Sequence, residues 1–264
     1  MEKEFNIKFR RTRDEFINLS NYNNEYNIYN KDFDLETGLW RYMDFSKFVN
    51  LLDTNSIFFT KPNKFRDPFE GAFSEQDFIR LIGEPPSYNP DIRYDYDNRR
   101  QMLINESRML LDFVGVSCWH LNNTESAAMW DLYLRSGEGI AIKSNIEKLT
   151  NSIQDDISIG QVQYIDYFKD MASDNTYESL FYKRNSFSHE NEFRLIHFDD
   201  IEEPKFQEYG VPIISDLNHL IDEIYVAPTA PKWFVETVAS VVKKYNIDKP
   251  IRQSSLYNNQ RNVF

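Results

Sequence analysis

Between Leu39 and Thr60 the apolar residues change period twice, and this pattern limits the folds open to the chain more than any other. Leu39-Trp40-Arg41-Tyr42 reads as an extended strand. Phe45, Phe48, Val49 and Leu52 then fall at i, i+3, i+4 and i+7, one face of a helix, with Asp44 placed to cap its start. Ser56-Ile57-Phe58-Phe59-Thr60 returns to extended chain. A strand, a short helix and a strand in such quick succession commit the chain to a sheet with helices packed on it.

The remaining sequence repeats the theme. Phe113 to Cys118, Ile140-Ala141-Ile142, Glu192 to Phe198, Ile224-Tyr225-Val226 and Ile251 to Leu256 read as strands, and Val162, Tyr164 and Asp166 alternate as another. Thr124 is placed to cap a helix carrying Ala127, Trp130, Asp131 and Leu134, which Gly137 and Gly139 end. A further helix is expected from about Lys232 to Tyr245. Residues 74–112 read as a helical insertion broken at Glu84-Pro85-Pro86, in whose longer part Met102/Leu103 and Met109/Leu110 mark a buried face. The expected fold is α+β: a mixed, mostly antiparallel central sheet with surrounding helices, forming one domain over residues 38–264 after an Asn- and Tyr-rich N-terminal extension, residues 1–37.

Composition removes several function classes. There is no GxGxxG and no P-loop, and the chain has only 8 Gly, so two common nucleotide-binding folds are excluded. The lone Cys118 excludes an intramolecular disulfide and a multi-cysteine zinc site, and fits a reducing, cytoplasmic setting. The charged start Met1-Glu2-Lys3-Glu4 gives no apolar signal core, and no stretch has the apolar length of a membrane helix. A net charge of −12 works against non-specific nucleic-acid binding. The basic clusters Lys8, Arg10, Arg11, Arg13 and Arg93, Arg99, Arg100 therefore read as solvated faces.

Four segments carry residues suited to chemistry. Arg41, with Tyr42, opens a strand where a guanidinium can fork onto a pyrophosphate or carboxylate, or serve as an ordinary edge arginine. Asp67 and Glu70, in the Pro-stiffened loop Phe65 to Glu70, suit either acid–base or metal chemistry or the capping of a turn. Val116-Ser117-Cys118-Trp119, followed by Met129-Trp130 and Tyr133, sets a hydroxyl beside aromatic rings. Cys118 and His120, two apart, would share a strand face as a nucleophile and base. In His189-Glu190-Asn191-Glu192-Phe193-Arg194 a strand period of two puts Glu190, Glu192 and Arg194 on one face. Such acids either pair with Arg194, Lys183 or Arg184, or stabilise a developing oxocarbenium ion and orient a nucleophile.

In this order, the Leu39-to-Tyr42 strand, the Asp-Pro-Phe-Glu loop, Val116 to Trp119, the Met129-Trp130 helix ending in Gly-x-Gly-Ile, and Glu190-x-Glu192-Phe193-Arg194 resemble the bacterial domain of unknown function 2971 from about Leu39 to Leu256. The succession Arg41, Ser117, Glu192, with Glu190 completing an acidic pair, is also similar to that of the ADP-ribosyltransferases, although only Ser117 stands where toxin-type members carry a Ser-Thr-Ser triplet, and the glycine after the first-strand motif is missing.

This second resemblance implies NAD as substrate, with Arg41 and Arg194 on the cofactor side and Tyr42, Trp119 or Tyr133 stacked on nicotinamide. Ser117 would order the site, Glu192 would hold the nicotinamide ribose, and Glu190 would orient the acceptor. It further implies a macromolecular acceptor, protein or nucleic acid, and the setting of a toxin or anti-phage effector with a partner protein or antitoxin. Two other readings stay open: a non-catalytic binding or regulatory module on the same fold, and a metal-dependent hydrolase or nuclease using Asp67, Glu70, Glu190 and Glu192.

Overall fold

The strand–helix–strand unit forms where the pattern requires it. It is described here in a computed structural model covering residues 27–29, 34–87, 89–133, 137–153, 155–173, 176–200 and 204–258. After a short strand β1 (Asn27–Tyr29), β2 spans Gly38–Asp44, α1 Phe45–Thr54 and β3 Ser56–Thr60. Asp44 caps α1 by accepting a hydrogen bond from the Lys47 N–H at 2.8 Å. Asn55, left-handed at φ 47°, ends the helix. Phe48, Leu51 and Leu52 bury the inner face of α1 against the sheet. Most of the expected extension 1–37, including the Lys8 to Arg13 cluster, lies outside the described residues.

The chain then leaves the sheet for two helices, α2 (Glu75–Ile82) and α3 (Pro90–Leu111). A reciprocal cap between Ser74 and Asp77 starts α2, and Asn89 caps α3. The buried residues of α3 are Tyr96, Ser107 and Leu111. Met102 and Met109, expected on the inner face, are mostly exposed. The helix is there, but the seven-residue recurrence did not mark its buried face: an isolated period does not say which side the rest of the fold covers.

The remaining elements are β4 (Val114–Leu121), α4 (Ala127–Tyr133), β5 (Gly139–Asn145), α5 (Ile146–Asn151), β6 (Ile157–Gln161), β7 (Gln163–Ile165), β8 (Tyr182–Arg184), β9 (Glu192–Phe198), β10 (Gly210–Ile214), α6 (Leu217–Leu220), β11 (Glu223–Val226), α7 (Lys232–Lys244) and β12 (Ile251–Gln253). Among the described residues, ten strands form one sheet in the order β1-β6-β9-β4-β2-β5-β11-β12, with β3 and β10 branching from β4. Apart from the outer pairs β1–β6 and β11–β12 its ladders are antiparallel. The expected α+β class with a mostly antiparallel sheet is thus the observed one, and no described helix is long and apolar enough to cross a membrane.

Three local expectations change. The strand expected over Val162 to Asp166 is only the three-residue β7, paired in parallel with β8 outside the main sheet. β6 and β10 were not expected at all. Ser126, not Thr124, starts α4: its Oγ accepts from the Met129 N–H at 3.4 Å, while Thr124 turns back to Asn122 Oδ1.

One topological feature positions everything below. One edge of β4 pairs with β9 from Val114 to His120. The other edge is divided. At its C-terminal end β2 pairs with it at Leu39–Leu121 and Trp40–His120, and near its N-terminal end β3 pairs with it at Thr60–Val116. β2 departs after Trp40 because it stays in register with β5 along its whole length, Gly38–Asn145 to Asp44–Gly139. Among the described residues, Ser117, Cys118 and Trp119 therefore have no strand partner on that edge, and the sheet is open there.

Candidate functional site

Arg41 is the first residue of β2 beyond the last rung with β4. Register gives it the parity of Ser117 and Trp119, whereas Glu192 and Arg194 share the opposite face with His120 and Cys118. In a closed sheet these two sets would never meet. Where β2 and β4 separate, a cavity of about 870 Å³ opens and is lined from both faces, by Arg41 and Trp119 on one hand and Glu190, Glu192 and Arg194 on the other, with Tyr42 and Tyr133 on its wall.

The Arg41 guanidinium is held by neutral groups. Nη1 donates to Ser117 Oγ at 3.0 Å, Nη2 to the Phe58 carbonyl at 3.2 Å, and the Trp119 ring lies 5.5 Å away. Among the described residues no carboxylate pairs with it, and burial pulls its proton affinity below the ordinary arginine value. Ser117 does not line the cavity. It is buried and takes a second hydrogen bond from Trp119 Nε1 at 3.2 Å, so it orients the arginine and the indole together.

The acidic side of the cavity is a closed network. Arg194, fully buried, pairs through Nε with Glu192 Oε2 at 2.7 Å and through Nη1 with Glu70 Oε2 at 2.8 Å, and Nη1 also donates to the Leu180 carbonyl at 2.6 Å. Lys183 Nζ reaches Glu192 Oε1 at 2.5 Å, Glu190 Oε2 at 2.6 Å and Glu70 Oε1 at 3.3 Å. Three carboxylates thus share two cations, and one acid must be the most easily protonated. Burial acts to raise both Glu190 and Glu192, but Arg194 and Lys183 outweigh it at Glu192 and hold that carboxyl well below the usual range. Glu190 gains only one edge of Lys183; burial and the adjacent Glu192 push it up to about 7.

Glu190 does not reach this network by strand alternation, as the sequence suggested. It ends a 3-10 turn, Asn185–Glu190, and Asn191 at φ 38° turns the chain into β9. Asn191 is fixed by Nδ2 donating to the Leu121 carbonyl at 2.5 Å and by its own carbonyl accepting from the Leu121 N–H at 2.8 Å. The turn brings Glu190 to the side of Glu192. Asn is among the few residues that tolerate a left-handed backbone, so Asn191 was the available signal that Glu190 lies before the strand, whose expected start at Glu192 is the observed one.

The other candidates are committed elsewhere. Asp67 forms a two-pronged pair with Arg184, at 2.7 and 3.2 Å, and accepts from the Phe69 N–H, which is the turn-capping alternative. Asn122 donates to His120 Nε2 at 3.3 Å, so Nδ1–H is the donor to the Glu190 carbonyl at 2.6 Å; the ring anchors the turn. Burial pushes the Cys118 thiol up, and Glu192 adds to the rise, so the Cys118–His120 pair is not an activated nucleophile. Glu70 and Glu192 are joined through cations, and no group of three His, Cys, Asp or Glu among the described residues is arranged to hold a metal.

The aromatic residues divide by exposure. Tyr42 and Trp119 are buried, Tyr42 accepting from the Ser126 N–H at 2.8 Å and meeting Trp130 edge-on. Tyr133 is 44% exposed and stacks on Tyr42 at 6.5 Å, at the cavity wall.

No family model matches the chain, the domain of unknown function 2971 included, and no curated protein matches it. Among solved structures the chain is similar to Thermus sp. 2.9 DarT in complex with NAD+, at 8% identity and a TM-score of 0.40, covering 84% of this chain and 97% of that one. It is likewise similar to the same protein in complex with ADP-ribosylated ssDNA, at 9% identity and a TM-score of 0.39, covering 84% and 96%.

Proposed function

We propose that the cavity takes NAD and that the protein transfers the ADP-ribosyl group to a macromolecular acceptor. The observation that carries this reading is the convergence on one cavity of Arg41, a half-buried cation whose partners among the described residues are neutral, and the Glu190–Glu192 pair from the opposite face of the sheet. A half-buried guanidinium without a carboxylate is open to an anion, and its fork suits a diphosphate. At the other end of the cavity Glu192, kept ionised by Arg194 and Lys183, supplies fixed negative charge where a ribosyl oxocarbenium ion would develop.

In this reaction the bond from the ribose anomeric carbon to the pyridinium nitrogen breaks, its electron pair leaves with neutral nicotinamide, and the acceptor's oxygen or nitrogen bonds to the anomeric carbon. Each Glu192 oxygen makes one ion pair, and the carboxylate keeps acceptor capacity for a ribose hydroxyl. Glu190, the more exposed acid of the two, receives the acceptor's proton. Tyr133 offers a face to the leaving ring, and Ser117 keeps Arg41 aimed at the diphosphate.

The same network favours a second reading. Glu192 is only 5% exposed and already paired with two cations, as expected of a binding module whose acids are structural. Purified protein incubated with labelled NAD and a bacterial lysate containing protein, RNA and DNA separates the two, with Arg41→Ala and Glu192→Gln in parallel. Transfer of label that both substitutions abolish supports the transferase and reveals the acceptor class. Binding of NAD without nicotinamide release supports the module, and absence of both binding and release removes NAD from the reading.

A further inference from the structure

We propose that Lys183 is the positioning residue of the acid pair: it holds the Glu190 carboxylate against Glu192 and sets the pH range in which Glu190 exchanges a proton with the acceptor. The chemical use of this device rests on the transferase reading, but the device itself is a property of the side chains. An ammonium has three N–H donors. Those of Lys183 face three carboxylates brought by separate segments: Glu70 from the turn after β3, Glu190 from the 3-10 turn, and Glu192 from β9. Among the described residues Lys183 is the cation that ties Glu190 to the Arg194-centred network.

Its own place is firmly set. β8 pairs with β7 so that Lys183 lies opposite Tyr164, whose hydroxyl accepts the Glu192 N–H at 2.9 Å. The short second sheet thereby locks both ends of the Lys183–Glu192 contact. The Phe187 ring, 4.8 Å from Nζ, covers the ammonium.

The division of labour follows from which cations each acid meets. Glu70 and Glu192 each meet both Lys183 and Arg194, while Glu190 meets Lys183 alone. Adjacent carboxylates resist simultaneous ionisation, so the first proton goes to the acid with fewer cationic partners. The other titratable or charged groups around Glu190 are His120 on β4, committed to its carbonyl, Cys118 behind it on the same strand, Tyr133 on α4, and His189 beside it in the turn. None of these replaces the Lys183 contact.

The test is a direct titration of Glu190 in the full chain. Glutamate carboxyl carbons are labelled with 13C and followed by NMR, with Glu190→Gln assigning the resonance, in wild type, Lys183→Met and Lys183→Arg. Lys183→Met is expected to raise the Glu190 midpoint by about one pH unit or more. Lys183→Arg, which keeps the charge, leaves it in place. An unmoved midpoint in folded Lys183→Met overturns the proposal. Where Lys183→Met does not fold, Lys183→Gln, which removes the charge and keeps a hydrogen-bond donor, decides: a raised midpoint supports the proposal, and an unmoved one overturns it.

NAD consumption measured across pH on the same samples keeps the two readings apart. A midpoint that depends on Lys183 in a protein that consumes no NAD removes the transferase and leaves the control of Glu190 by Lys183 standing. NAD consumption whose pH profile ignores Lys183 overturns the proposal and leaves the transferase.

Discussion

Arg41 and Ser117 are joined by a 3.0 Å hydrogen bond across the gap that β2 and β4 leave between them. The bond forms where β2 remains paired to β5 while β4 is claimed by β9 and β3, so Arg41 opens onto a cavity and not onto a neighbouring strand.

Ser117→Ala removes one anchor of the guanidinium and the partner of Trp119 Nε1. Calorimetric titration with NAD is expected to show affinity lowered about tenfold, the scale of one hydrogen bond to a charged group. Arg41→Lys should not restore the binding lost in Arg41→Ala, because a point charge cannot hold Ser117, the Phe58 carbonyl and a diphosphate together. Equal affinities across the series would show that the anion is held elsewhere.

Arg194→Met leaves Glu192 and Glu70 with Lys183 as their common cation. Breaking a buried pair from one side costs roughly 3–5 kcal/mol, and urea denaturation should register a loss of that order. A loss below about 1 kcal/mol, the scale of an exposed pair, would mean that the network is solvated and unfit to hold Glu192 ionised.

Glu190 and Glu192 pull stability in opposite directions with pH. The folded chain raises Glu190 to about 7, so ionising it opposes folding: its contribution falls as pH rises from the ordinary glutamate range to about 7. The folded chain lowers Glu192, whose contribution is present above the ordinary glutamate range and lost as pH falls through its depressed value. Glu190→Gln should therefore gain on wild type with rising pH up to about 7 and then level off, as read by thermal denaturation at several pH values. A constant difference contradicts the assignment.

NAD turnover, if Glu190 takes the acceptor's proton, rises with pH through about 7 as that carboxyl ionises. The pH profile of kcat is the measurement, and a profile flat across neutrality assigns the proton to another group.

Gly210 has φ 149°, and a Cβ built there would lie 1.9 Å from the Phe59 carbonyl oxygen in the β3–β10 ladder. Gly210→Ala should cost more than about 1 kcal/mol in denaturant unfolding, since neither the backbone angle nor the approach of β3 can be kept. A neutral substitution would show that β10 can shift away from β3 without loss.

The strand–helix–strand unit was legible because each of its signals is local. Asp44 as cap and the apolar rows of Phe48, Leu52, Ile57 and Phe59 are set by neighbours a few residues away, and the β9 limits, Glu192 to Phe198, follow from the same kind of pattern. β6 and β10 were missed because their identity as strands comes from partners far along the chain, β9 and β3. Met102 and Met109 show the limit of periodicity: it finds a face but not what covers it.

The sequence by itself determined the chemistry on offer: an arginine, a serine and two acids in order, with aromatic residues near each, on an α+β chain. Only the tertiary structure decided how they meet. A strand pattern knows two faces and puts Arg41 and Glu192 on different ones. It takes the division of the β4 edge to bring both to one cavity, and the left-handed Asn191 to add Glu190. Which acid stays ionised likewise follows from the number of cations around each, and Lys183, Arg194 and Glu70 reach one another only through packing between segments distant in sequence.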